Sequence, residues 1–152
     1  MNIKTFLDTD RILLGFTAEN QKTALEKLVS PLVKGGFVTD SEVFLNDLQR
    51  REDEITTVID NGVAMPHARS HSVNRLVLAV GLANEEGIQF GPNDETECRL
   101  IFCIGIPHFA PTSHLPLLQL LAKLSHDPKR VDKILSYKTA TGVINFLTAF
   151  KG

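Results

Sequence analysis

The pair Pro66-His67 is the first place in this 152-residue chain where residue type and context suit chemistry. It follows a short apolar segment, Val63-Ala64-Met65. Proline cannot donate to a strand ladder and restricts the residue before it. The chain is therefore expected to leave a sheet here and to hold the imidazole at a strand end or in a loop, exposed yet aimed. A neutral imidazole is a good nucleophile toward phosphorus, and a pKa of about 6.5 leaves it mostly unprotonated at neutral pH. One ring nitrogen can attack while a hydrogen bond to the other fixes the tautomer. The plain alternative is a loop histidine with no role. His114 comes second, at the expected first turn of a helix capped by Thr112 or Ser113. A helix N-terminus offers unpaired N–H groups and partial positive charge, which seat an anion and should lower the pKa of His114. The alternative is a polar residue tolerated at a helix start. Arg51, at the expected end of the second helix, offers a forked donor matched to phosphate oxygens. Its alternative is a surface arginine paired with Glu54. Glu52 and Thr57 are placed to orient a histidine, although residue type barely separates them from solvated polar groups.

Other candidates carry less. His67 and His71 are four apart, a spacing that suits a metal on a helix, but no third ligand stands at a familiar distance. His108 lies just beyond an apolar run, and His126 near a helix C-terminus, where a dipole interaction explains it. Ser70 lacks the GxSxG context of a serine hydrolase. Asp53 and Glu54 read as a solvated helix end.

The elements that must position these residues follow from periodicity. Residues 11–16 read as a short strand or a lead into a helix. Apolar residues at helical spacing predict a helix over residues 19–34, stopped by Gly35-Gly36 and kinked or divided at Pro31. Thr39 and Glu42 match a capping box for a second helix running to about Arg51, with Val43, Phe44 and Leu48 inward. Residues 55–67 are β-rich, with a turn at Asn61-Gly62. Residues 76–82 and 99–106 read as buried strands. The polar stretch 85–97 between them is mostly loop, with a short strand at 88–90. Helices are expected from Leu115 (Pro116 being tolerable in the first turn), over 127–135 and over 140–150.

Composition bounds the class. At 43% apolar and 22% charged, the chain can bury a core without disulfides or metal. The net charge of −2 argues against a nucleic-acid domain. Neither GxGxxG nor a P-loop is present. The two cysteines, Cys98 and Cys103, form no CxxC, and Cys103 reads as a buried thiol in a reducing compartment. The start of the chain lacks the apolar core of a signal peptide, and no stretch approaches the roughly 20 apolar residues of a membrane span. A cytoplasmic protein is expected.

The stretch Asn61-Gly62-Val63-Ala64-Met65-Pro66-His67-Ala68-Arg69 resembles the N-G-[IV]-A-x-P-H-[GA]-[KR] signature of fructose/mannitol-type IIA proteins. These belong to the bacterial phosphoenolpyruvate-dependent sugar phosphotransferase system, and the nitrogen-regulatory IIA proteins share the signature. Arg51-Glu52 resembles the family's R-E pair, and Thr57 falls in its T-x-[IV] segment. Ser113-His114-Leu115, with Leu118 and Leu121-Ala122, is similar to its H-L-x-x-L-x-x-[LV]-A helix. The likeness runs from about residue 22 to 150.

The resemblance implies one α/β domain over residues 1–152, a central mixed β-sheet flanked by helices on both sides. It implies that His67 is the phosphorylated residue, that His114 is the second active-site histidine and that Arg51 contacts the phosphate. It implies no cofactor, since the donor is already a phosphoramidate. The implied partners are an HPr-like phosphocarrier and a IIB domain of a sugar permease, with no nucleic acid and no membrane insertion. The alternative output is regulatory, the phosphorylation state controlling binding to other proteins. The chain departs from the family's T-G-[IV]-G-N-G at Val58 and Asp60; Asp60 is expected to sit near His67 and either slow transfer or orient the ring. An apolar rim of Met65, Phe109 and Leu115 would suit transient docking.

Overall fold

The computed structural model describes residues 1–91 and 97–152. In chain order the elements are β1 (Ile12–Phe16), α1 (Gln21–Lys34), α2 (Ser41–Glu54), β2 (Val58–Ile59), β3 (Val63–Ala64), β4 (His67–Ser70), β5 (Val77–Ala83), β6 (Ile88–Gln89), β7 (Glu97–Cys98), β8 (Leu100–Pro107), α3 (Leu115–Ser125), α4 (Pro128–Ser136) and α5 (Ala140–Ala149). The expected loop at 92–96 lies outside the described residues.

The two long apolar runs pair at the centre as antiparallel β5 and β8, Leu78 opposite Ile104 and Val80 opposite Phe102. Every residue of both is buried, as expected for strands covered on two faces. Alternation divides them. Leu78, Val80, Phe102 and Ile104 face a core closed by Leu117 and Leu121 of α3, Ile134 of α4 and Leu147 of α5. Val77, Ala79, Ile101 and Cys103 face a second core closed by Leu28 and Leu32 of α1 and Phe44 and Leu48 of α2. Helices thus cover both sides of a mixed sheet of order β1-β5-β8-β3-β2, with β4 also on β8. β1 joins β5 in parallel, and β3 and β4 both join β8 in parallel. β6 and β7 form a separate ribbon.

Local departures from expectation have tertiary causes. The N-cap of α2 is Asp40, whose Oδ1 accepts from Val43 N–H at 3.1 Å, and not Thr39. The Thr39 hydroxyl instead donates to Ser72 O at 3.2 Å. Val43 is 41% exposed, leaving Phe44 and Leu48 to anchor the helix. Pro31 does not divide α1, because it falls in the last turn and its carbonyl accepts from Gly35 N–H. The Asn61-Gly62 turn forms as expected, with Asn61 at φ 66° and Gly62 at φ 70°. The Asn61 side chain spans to the C-terminus of α3, donating to Ser125 O at 2.8 Å and His126 O at 3.1 Å.

Candidate active site

Pro66 does not take the chain out of the sheet. It interrupts it, and β4 begins at His67, which pairs with Ile104 of β8. The missing donor costs the ladder nothing on the other side, since Pro66 O accepts from Ile104 N–H at 2.9 Å. His67 is therefore half-buried at the start of a strand. Its Nδ1 lies 2.7 Å from Met65 O. A carbonyl only accepts, so Nδ1 carries the proton and Nε2 presents its lone pair. The pKa of His67 is lowered from 6.5, first by burial. The Met65 hydrogen bond opposes this; of the nearby charges, Arg51 and Arg69 lower the pKa and Glu52 raises it.

His114 faces His67 with ring centroids 5.6 Å apart and planes at 32°. It is itself the residue preceding α3, and neither Thr112 nor Ser113 caps the helix; the Ser113 hydroxyl donates back to Ala110 O. His114 is only 3% exposed and its Nδ1 is buried without a partner. Burial, then His67 and Arg69, push its pKa down to about 4, the direction expected from the sequence. Below pH 6.5 the unfolded chain takes up a proton that folded His114 refuses. Stability should fall as pH drops from 6.5 to 4, by at most about 1.4 kcal/mol per pH unit, and be unaffected above 6.5. Urea unfolding at pH 7 and pH 5 should show this loss reduced in His114→Gln.

Arg51 is half-buried in the last turn of α2, which packs over β4. Its guanidinium donates to Ile55 O at 2.8 Å, and it makes no ion pair with Glu54. Glu52, one residue on, is buried, and both its oxygens are taken by Thr57: Oε2 by the backbone N–H and Oε1 by the hydroxyl, each at 2.7 Å. No hydrogen bond joins Glu52 or Thr57 to the His67 ring. Asp60 does not orient His67 either. It is solvent-exposed, with its carboxylate 3.6 Å from His126 Nδ1, so the expected repulsion at the phosphate site gives way to a surface contact.

Two placements were not legible beforehand. Arg69 lies two residues beyond His67 on β4, so both side chains leave the same side of the strand. Its Nε donates to Pro111 O at 2.7 Å, tying β4 to the loop before α3. The two-residue spacing was the available signal. Met65 is buried and does not form the apolar rim, whereas Ile55 (70% exposed), Phe109 (77%) and Leu115 (46%) are exposed apolar side chains. His71 stacks on His108, centroids 3.8 Å apart, and takes no part with His67. Among the described residues, no group of three His, Cys, Asp or Glu is placed to hold a metal, and no helix is long and apolar enough to cross a membrane.

Residues 5–149 match the family model described as phosphoenolpyruvate-dependent sugar phosphotransferase system, EIIA 2. A fructose-specific EIIA component from Haloferax volcanii is 30% identical over 147 residues, 96% of this chain and 94% of that protein. The chain also matches longer EIIABC components, of which it spans under a quarter. Among solved structures, the nitrogen regulatory protein IIA-Ntr of Neisseria meningitidis superposes with a TM-score of 0.80 at 23% identity, over 96% of this chain and 99% of that one. The mannitol enzyme IIA of Escherichia coli, solved in complex with phosphorylated IIB, superposes at 0.76 and 21% identity, over 93% and 96%. With its α/β fold and the family model spanning nearly all of it, this chain belongs to the EIIA type-2 family of the phosphoenolpyruvate-dependent sugar phosphotransferase system.

Proposed function

We propose that this protein accepts a phosphoryl group on Nε2 of His67 from a phosphohistidine of an HPr-like carrier and passes it to a IIB domain. The observation that carries the reading is the 2.7 Å contact between His67 Nδ1 and Met65 O, which leaves Nε2 as the free nucleophilic nitrogen beside His114 and Arg51. In the step, the Nε2 lone pair forms a new N–P bond in line. The donor's N–P bond breaks, and its electron pair returns to the donor imidazole. The proton on Nδ1 stays, and its bond to Met65 O strengthens as the ring gains positive character. The transferring group keeps its charge, so the protein's work is positioning and charge stabilisation. Arg51, held by Ile55 O, and Arg69, held by Pro111 O, supply cationic donors. His114, its ring facing that of His67 with centroids 5.6 Å apart, is the neighbouring group that can meet a phosphoryl oxygen on Nε2 of His67. The lowered pKa of both histidines keeps them neutral at pH 7.

Docking is assigned to the apolar residues next to these groups. Ile55 holds Arg51, Leu115 follows His114, and Phe109 lies in the loop that holds Arg69. Phe109→Asp should raise the KM for the phosphorylated carrier about 10-fold, as loss of one buried phenyl allows, and leave kcat within about 2-fold. Steady-state transfer from titrated carrier reads this directly. The sugar reading is favoured by the fructose-specific relative at 30% identity, whereas the likeness to the nitrogen-regulatory protein is one of fold. The test is reconstitution with phosphoenolpyruvate, enzyme I, HPr and a fructose-type IIB. Phosphoryl reaching IIB only when this protein is present supports the proposal. Phosphorylation of this protein with no onward transfer to fructose- or mannitol-type IIB would replace it with the regulatory reading.

A further inference from the structure

We propose that Glu52 is a positioning residue that sets the tautomer of His67 through the hydrogen-bonded succession Glu52–Thr57–Met65–His67; this rests on His67 being the nucleophile. Glu52 is 6% exposed and has no cation within ion-pairing distance among the described residues. A carboxylate buried in that way is costly unless its oxygens are satisfied. Here both are satisfied by a single residue, so Thr57 is gripped at its backbone and its side chain. Thr57 O in turn accepts from Met65 N–H at 3.1 Å, one rung beyond the β2–β3 ladder, in which Val58 faces Ala64. On its other side Met65 precedes Pro66, which confines it to extended backbone. The direction of Met65 O is thus fixed from both ends, and that oxygen selects Nδ1 of His67 as the protonated nitrogen.

Each link passes through a Cα atom rather than along one conjugated peptide. What travels is therefore position, and the charge of Glu52 acts separately, at a distance, on the His67 pKa. The two effects can be divided by substitution. Glutamine keeps an acceptor for Thr57 N–H and offers its amide N–H to the Thr57 hydroxyl, so the grip survives without the charge. Alanine removes both.

The experiment is long-range 1H–15N correlation of the His67 ring at pH 8 in the unphosphorylated protein, so it stands whether or not phosphoryl transfer occurs. Wild type, Glu52→Gln and Thr57→Ser should show the Nδ1–H tautomer alone. Glu52→Ala should show the Nε2–H form at roughly a fifth or more of the population, since the Met65 acceptor is no longer held. Phosphoryl acceptance should fall about 10-fold in Glu52→Ala and less than about 3-fold in Glu52→Gln. If Glu52→Ala does not fold, Thr57→Val, which keeps the volume and loses the hydroxyl bond, must show the mixed tautomer. A single Nδ1–H tautomer in folded Glu52→Ala, or in Thr57→Val where the alanine variant fails, overturns the proposal. So does Glu52→Gln mixing tautomers as much as alanine. Failure of transfer in every variant, with the tautomers behaving as stated, would count against the phosphocarrier reading alone.

Discussion

His67→Ala should abolish phosphoryl acceptance while leaving the protein folded. The side chain is half-buried at the start of β4, and its one hydrogen bond is to Met65 O. Losing such a bond costs about 1 kcal/mol, against a domain stability of about 5–15 kcal/mol. The strand itself stays anchored by Ala68 and Ser70, both buried, and by its pairing along β8 from Ile104 to Pro107. Among the described residues, the histidine facing His67 and the two thiols are poor replacements for the ring. His114 is 3% exposed, and Cys98 and Cys103 are buried with thiols pushed up to about 12, so neither forms thiolate at neutral pH. Intact mass after exposure to phosphorylated carrier should show no added phosphoryl, with an unchanged circular dichroism spectrum and a melting point close to wild type.

Arg51→Ala should slow acceptance by roughly 10-fold to 1,000-fold, the rate equivalent of losing about 1.4–4 kcal/mol of transition-state stabilisation. The guanidinium is fixed before the donor arrives, because one of its nitrogens is bonded to Ile55 O. That fixation lets the remaining donors meet the phosphoryl oxygens without an ordering cost. Arg51→Lys keeps the charge but loses the fork, so it should recover only part of the rate. Single-turnover mixing with phosphorylated carrier measures the step apart from docking. Transfer undiminished in Arg51→Ala would remove Arg51 from the site. The carbonyl of Ile55 leaves the chain where α2 ends, so the same bond that caps the helix aims the arginine.

The parts of the fold that could be read in advance are those governed by local pattern. β5 and β8 announce themselves as apolar runs, α3 by its start at Leu115, and α1, α4 and α5 by helical spacing with stops that hold to within a residue or two. β4 was hidden because its outward positions are polar. His67 and Arg69 alternate with buried Ala68 and Ser70, and alternation over four residues with a proline before it resembles a loop. Asp40 takes the cap of α2 from Thr39 because Ser72, 33 residues away, draws the threonine hydroxyl, and no local motif encodes that. His67, Arg51 and His114 were each singled out from residue type and context, and the fold brings them to one place. Asp60 was singled out as well, but its turn is tied through Asn61 to the far end of α3. What chooses the nitrogen on His67 is a backbone oxygen, and a backbone oxygen has no signature in sequence. The same holds for the grip of Glu52 on Thr57, which depends on α2 laying its last turn over the start of β2.

On the proposed reading, Nε2 of His67 carries the phosphoryl group. That reading is tested most directly by incubating the protein with phosphoenolpyruvate, enzyme I and HPr, weighing it intact, and recording long-range 1H–15N correlations of its histidine rings. One acid-labile phosphoryl group, coupled to Nε2 of His67 with Nδ1 still protonated, is the predicted result. Phosphoryl on Nδ1 or on another residue, or none at all while a control IIA protein is labelled by the same mixture, would contradict it.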